Sequence, residues 1–352
     1  MNSYDLAKKV IFSLSDEAGV SGYEHPLFPA LQGIFTSLAS ETRRDFIGNF
    51  YAVKKGLDGK SGIMLAAHMD EIGLILTHID DRGFFHFSAV GGIDDRTLLY
   101  QEVIVHGQED IRGIICSVPS RVHQEVQSKK SIDMTQLVID VGYPRETVMN
   151  LVKPGDIISL IRKPFSILND KIVAKALDDR AGIAVLAICL NELGRLSHRH
   201  NVYAVATVQE EVGLRGAITS SDGLQPDLAV AIDVTHAQTL DTKNQVSIQL
   251  GKGPAITVGP NIHPRIFTDL TRCAKESRIP YQIQPIAGET GTDARVIQLT
   301  GYGIPTGLIS IPLRYMHTSV ETASLQDIVD SGKLLADFIA GLPENLEELL
   351  CC

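Results

Sequence analysis

Two hydrophobic rhythms divide the chain into three stretches. Residues 5–17 place Leu6, Val10, Ile11 and Leu14 at helical spacing, and a second helix is predicted over 29–40 after a connection at 19–26. Residues 45–54 read as a strand with a turn at Gly48-Asn49, and a Gly-rich turn at 55–61 leads into the apolar run 63–67. The texture then changes. Short β-like runs at 74–79, 84–90, 100–106 and 111–118 are separated by turn signals such as Asp80-Asp81-Arg82-Gly83 and Gly91-Gly92. That spacing predicts a small antiparallel sandwich or barrel. A short helix at 144–152 and a strand at 156–161 complete it.

The helix-and-strand alternation then resumes. A strong helix spans 181–193, closed by Gly194; strands run to Val208 and over 228–232, 281–286 and 307–311; helices occupy 266–277 and 325–341; and the tail 344–352 is expected to be exposed. Val- and Ala-rich runs such as 204–208 are apolar at every position, as in parallel strands covered on both faces. The fold class expected is therefore α/β with an inserted small all-β, barrel-like domain. Its boundaries are 1–71 and 166–352 for the host domain and 72–165 for the insertion.

Composition narrows the function. The 352 residues carry 32 Lys and Arg against 42 Asp and Glu, a net charge of −10, which argues against nucleic acid as a partner. No apolar run approaches the roughly 20 residues of a membrane span. The first 14 residues contain Asp5, Lys8 and Lys9 at the polar positions of a helix, unlike a signal peptide. The five cysteines show no CxxC spacing; Cys116, Cys189 and Cys273 sit in apolar runs, and Cys351-Cys352 end the chain. A cytoplasmic location is expected.

The candidate chemistry sits where apolar runs stop. Residues 63–67 run into His68-Met69-Asp70, 204–208 into Glu210-Glu211 and 228–232 into Asp233, while 307–311 is followed by His317. Open α/β sheets bind ligands outside the carboxyl ends of their strands. His68 and Asp70, two apart on an extended stretch, face one side, so Asp70 can orient the imidazole. Asp178 and Asp179 precede a helix; Asp179 is assigned the capping role and Asp178 that of an anionic bridge between two cations. Glu210 and Glu211 point to opposite sides if the strand stays extended, so one can bind metal while the other activates water. Imidazoles and carboxylates without thiolates suit zinc or cobalt, with manganese a further candidate. Two such ions ~3.5–4 Å apart, with a carboxylate base, make a hydrolase. A deacylase or carboxypeptidase-like amidase would use the same parts. A glycosidase needs two separated carboxylates, for which adjacent residues are badly placed. A binding scaffold would have lost part of the set.

These stretches resemble the M42 metallo-aminopeptidase family, some of whose members carry an endoglucanase label. The matching segments are Ala67-His68-Met69-Asp70-Glu71-Ile72-Gly73, Lys175-Ala176-Leu177-Asp178-Asp179-Arg180, and 207–217 around Glu210-Glu211. Asp233-Val234-Thr235-His236-Ala237, Gly291-Thr292-Asp293-Ala294 and Arg314-Tyr315-Met316-His317-Thr318 follow in the family's order. The resemblance implies a phosphorylase/hydrolase-like three-layer catalytic domain and two divalent ions per subunit. It implies metal ligands His68, Asp178 (bridging), Glu211, Asp233 and His317. Glu210 would be the general base acting on a water shared by the ions, and Asp70 the partner of His68. It further implies aminopeptidase action on short peptides and self-assembly into a homododecamer. Gly288-Glu289-Thr290 departs from the more glycine-rich family pattern, which bears on substrate preference. His236, His263, Arg295 and Arg314 are candidate pocket residues.

Overall fold

A computed structural model describes residues 2–59, 61–117, 133–239, 242 and 247–347. Its strands are β1 (Glu41–Arg44), β2 (Phe50–Lys54), β3 (Gly62–His68), β4 (Gly73–Ile79), β5 (Phe85–Val90), β6 (Glu102–His106), β7 (Asp110–Ser117), β8 (Leu137–Asp140) and β9 (Ile157–Leu160). They continue with β10 (Phe165–Ile167), β11 (Lys171–Ala174), β12 (Asn201–Thr207), β13 (Leu228–His236), β14 (Ala255–Val258), β15 (Gln282–Pro285), β16 (Thr306–Arg314) and β17 (Glu321–Ser324). The helices are α1 (Ser3–Ser15), α2 (Phe28–Phe35), α3 (Arg145–Val148), α4 (Leu177–Leu193), α5 (Arg215–Leu224), α6 (Pro264–Glu276), α7 (Ala294–Ile297) and α8 (Leu325–Ala340).

The host is a mixed α/β fold. Its large sheet runs β1-β2-β12-β3-β13-β16-β17-β11-β10, with β14 and β15 attached beside β16. The four central strands β12, β3, β13 and β16 are mutually parallel. Both faces are covered because alternate residues of one strand feed different cores. Ile63, Leu65 and Ala67 of β3 enter the core formed with α1, α4, α6 and α8, and Met64 and Ala66 enter the one formed with α5 and α7. That explains the runs without polar positions. Helix α4 is apolar all round for the same reason: it lies against the sheet between α1 and α8 and is buried from Leu177 to Leu190. Gly332 lets α8 approach it, since a Cβ there would stand 2.6 Å from Ile188.

Between β3 and β10 the chain makes a closed antiparallel barrel, β4-β5-β8-β7-β6-β9. Leu74, Leu76, Phe85, Val103, Val105, Ile115, Ile139 and Ile158 fill it. The β-like runs read at 74–79, 84–90, 100–106 and 111–118 are four of its six strands and the run at 156–161 is a fifth, although Val118 lies outside the described residues.

Several local expectations differ. Residues 45–54 are not one strand: the chain turns at 45–49 between β1 and β2, where the Asp45 carboxylate accepts the Gly48 and Asn49 N–H groups. Strands β1, β8, β10, β11, β14 and β17 and helices α5 and α7 were not anticipated, being short or polar enough to lack a clear period. The short helix near 144–152 is one turn, α3. Leu346 is buried against the core, so the tail is not wholly exposed; Cys351 and Cys352 lie outside the described residues. Among the described residues no helix is long and apolar enough to cross a membrane.

Candidate active site

The four parallel strands deliver their chemistry at one level of the sheet. His68 is the last residue of β3 and pairs in register with Thr207 of β12, while Asp233 of β13 pairs with Ser310 of β16. Asp233 lies inside its strand rather than at its end, because β13 runs past β3 to His236. All seven residues singled out in the sequence, His68, Asp70, Asp178, Glu210, Glu211, Asp233 and His317, converge there.

Asp178 stands at the centre. Its Oδ1 is 3.0 Å from His68 Nε2, its Oδ2 is 3.2 Å from His317 Nε2, and Glu211 Oε1 lies 3.1 Å from the same His317 nitrogen. His68, Asp178 and Asp233 bring one ligand atom each to within 4.8 Å of one another, and so do Asp178, Glu211 and His317; the two triplets share Asp178. A third grouping joins His68 to Glu210 and Glu211. Donors held ~2.1 Å from a tetrahedral ion lie roughly 3.4 Å apart, so these spacings fit divalent cations.

The two glutamates do not diverge along an extended strand as expected. Strand β12 stops at Thr207, and the chain then turns through Gln209, whose φ is +55°. The turn is held from beneath by Asp70. Asp70 Oδ1 accepts the Glu210 N–H at 3.0 Å, and Oδ2 accepts the Glu211 N–H at 3.2 Å and the Ser21 hydroxyl at 2.5 Å. His68 Nδ1 is 3.3 Å from the Asp70 carbonyl and 3.6 Å from its Oδ1, so backbone and side chain together set the ring. Asp179 caps the helix as expected: its Oδ1 accepts the Gly182 N–H at 3.0 Å.

Sequence reasoning missed the outer supports. Glu321 is buried and accepts the His317 N–H at 2.8 Å and the Asp178 N–H at 3.0 Å, bracing two of the central residues through their backbones. Asp293 accepts the Thr207 hydroxyl at 2.6 Å. Glu24 Oε1 accepts the N–H groups of Gly22 at 2.8 Å and Gln209 at 3.0 Å. Only Asp293 had a signal, as part of a quoted motif; the others act across long sequence separations. The barrel also reaches the site, since a Cβ on Gly92 would stand 3.2 Å from His317 Nδ1.

Electrostatically the site is an acid cluster without a protein counter-cation. Among the described residues no lysine or arginine ion-pairs with Asp178, Glu210, Glu211 or Asp233; their charged neighbours are imidazoles. Burial, with Asp233, Asp293 and Glu211 adding to it against His68, pushes Glu210 up to about 10. Burial likewise lifts Asp233 and Glu321 well above the carboxylate range. Burial would lower His317, but Asp178 and Glu211 outweigh it and raise the ring to about 11. Asp178 is held low, burial being outweighed by its bonds to His317 and His68. Such carboxylates ionise together only when cations sit among them.

A buried histidine-and-carboxylate cluster that could hold metal ions lies at the carboxyl edge of a parallel sheet, in a host interrupted by a β-barrel, an arrangement suited to a metal-dependent hydrolase. A family model for M42 glutamyl aminopeptidase matches residues 48–334. The chain belongs to that family and is an aminopeptidase. It is 35% identical to the lysyl aminopeptidase of Pyrococcus furiosus over 95% of this chain and 96% of the relative. It superposes on the aminopeptidase APDkam598 of Desulfurococcus kamchatkensis with a TM-score of 0.90, at 38% identity, over 97% of this chain and 96% of the other. The TET1 peptidase of Pyrococcus horikoshii, which can assemble into a tetrahedron or a large octahedral shell, gives a TM-score of 0.82 at 32% identity over 97% of this chain and all of its own.

Proposed function

We propose that the chain is a two-metal aminopeptidase that removes N-terminal residues from short peptides. His68, Asp178 and Asp233 would hold one ion and Asp178, Glu211 and His317 the other; the observation that carries this is the pair of triplets sharing Asp178. Zinc and cobalt suit the donor set, and manganese is a further candidate. When bound, a pair of divalent cations polarises the scissile carbonyl and makes water a nucleophile near neutral pH. Glu210 is the proton carrier. Its carboxylate takes a proton from the attacking water and returns it to the amine that leaves. Asp70 holds the Glu210 and Glu211 N–H groups, which keeps the base and the adjacent ligand in fixed relation. Asp70 also orients His68.

The catalytic unit in this reading is 1–71 with 166–352, and 72–165 is the insertion. Assembly into a closed shell, a dodecamer by family resemblance, is part of the proposal, as is a reducing, cytoplasmic setting in which Cys116, Cys189 and Cys273 are free thiols. A glycosidase reading is disfavoured, because the carboxylates here are gathered with two histidines into candidate metal-binding groups rather than standing as a pair on either side of an open sugar site.

The test is a panel of free and N-acetylated aminoacyl p-nitroanilides. Turnover should be confined to free amines, vanish on chelation and return with zinc or cobalt. Glu210→Gln should retain both ions and lose roughly 10²–10⁴-fold in kcat. Full activity in that variant, or after complete chelation, refutes the proposal.

A further inference from the structure

Beside the cluster lies a cavity of about 260 Å³, bordered on one side by Asp178, Glu210, Glu211, Asp233 and His317. Its size is below the roughly 300–1,000 Å³ of sites for drug-sized ligands, which suits one amino-acid side chain. We infer that this cavity selects a neutral aliphatic N-terminal residue of leucine or methionine size and rejects both glutamate and lysine. The inference rests on the proposed function, and it separates this chain from the relative named a lysyl aminopeptidase and from the glutamyl description of its family.

The wall away from the cluster is apolar or committed. Leu308 is buried, and Ile286 and Met316 are half-buried, so hydrocarbon faces the space. Methionine adapts to aliphatic partners of different shape. The polar members of that wall are Gln284, Thr235, Thr290, Thr292 and Ser310; two pairs of them are bonded to each other, the Thr292 hydroxyl donating to Thr290 Oγ1 at 3.0 Å and Gln284 donating to Thr235. Gln284 Nε2 donates to Thr235 Oγ1 at 2.7 Å, and its Oε1 accepts from Thr257 Oγ1 at 3.4 Å.

Among the described residues, no lysine or arginine lines the cavity. The arginines expected as pocket residues are engaged elsewhere. Arg295 pairs with Glu289 at 2.5 Å, and Arg314 Nε donates to the Gln238 carbonyl at 2.8 Å. His263 stands at the start of α6, where its N–H bonds the Thr306 carbonyl, and is not a lining residue. His236 does line the cavity, at its solvent-exposed mouth, where water screens charge.

A glutamate side chain would therefore enter with no lysine or arginine among the described residues to receive it, the proposed cations being already taken up by the four carboxylates. A lysine ammonium would fare no better, because those carboxylates are the proposed metal ligands and base, and Glu289 is already paired. A buried charge left without a partner is excluded strongly. A methylene more or less against a hydrocarbon wall changes rates by only about 10–200-fold. The pocket should thus reject glutamyl and lysyl residues by roughly 100-fold or more relative to leucyl and methionyl residues that fit it.

The experiment measures kcat/KM of the metal-loaded enzyme on leucyl, methionyl, alanyl, glutamyl and lysyl p-nitroanilides. In parallel, leucine, glutamate and lysine hydroxamates are titrated calorimetrically into the same protein. Leucyl and methionyl substrates should exceed glutamyl and lysyl by about 100-fold, with hydroxamate affinities in the same order. Ile286→Arg should raise glutamyl over leucyl turnover at least about tenfold relative to the parent. Equal or better turnover and binding of the glutamyl or lysyl ligand overturns the inference while leaving the aminopeptidase reading intact. Selective binding of leucine hydroxamate without cleavage of any peptide supports the pocket assignment and sinks the proposed function instead.

Discussion

Glu24 offers a measurable test of how the turn before Glu210 is held. It is buried, and a single oxygen, Oε1, accepts both hydrogen bonds, from Gly22 N–H at 2.8 Å and Gln209 N–H at 3.0 Å. Burial, reinforced by Asp70, raises its carboxyl from 4.5 to about 7 despite those two bonds. The folded state therefore holds a proton that the unfolded chain has released. Between pH 4.5 and 7 that preference is lost, so this group's contribution falls as pH rises. At about 1.4 kcal/mol per pH unit, the separation of the two values amounts to a ceiling of about 3 kcal/mol. Glu24→Gln removes the ionisation yet keeps a carbonyl oxygen for both N–H groups. Urea unfolding of metal-stripped parent and variant at pH 5, 6, 7 and 8 is the assay. The two should be similar at pH 5, and the variant should gain roughly 2–3 kcal/mol by pH 8. Parallel pH profiles for the two proteins would refute the burial argument. A variant already much weaker at pH 5 would show that an amide oxygen does not replace the carboxyl oxygen in those two hydrogen bonds.

Two further substitutions address the cluster itself. Asp178→Asn, which keeps the shape but halves the ligand capacity of a residue shared by both triplets, should lower metal content at both positions, read by elemental analysis after dialysis; two retained ions would contradict bridging. Glu321→Ala frees the backbone of Asp178 and His317 by removing two buried hydrogen bonds, and should weaken metal affinity about 10–100-fold in a chelator competition. An affinity within about twofold of the parent would show that the sheet alone holds those residues in place.

Much of this protein is written locally. Hydrophobic period separates the helices from the strands, and unbroken apolar runs mark the central parallel strands, because residues covered on both faces cannot be polar. The switch to short alternating runs announces the barrel. Metal-ligand residue types at strand ends, with the motif resemblance, picked out the seven residues that converge. What sequence spacing could not decide is set by contacts between segments far apart in the chain. The paths of Glu210 and Glu211 depend on a turn at Gln209 that Asp70 and Glu24 hold from about 140 and 185 residues away. Glu321 carries no signature as a brace, since its role lies in two backbone N–H groups, one of them 143 residues distant. Whether a side chain near the site is a pocket wall or a paired surface charge, as for Ile286 and Arg295, follows from its neighbours in space. Periodicity reports which face of an element is buried; only packing reports what that face meets.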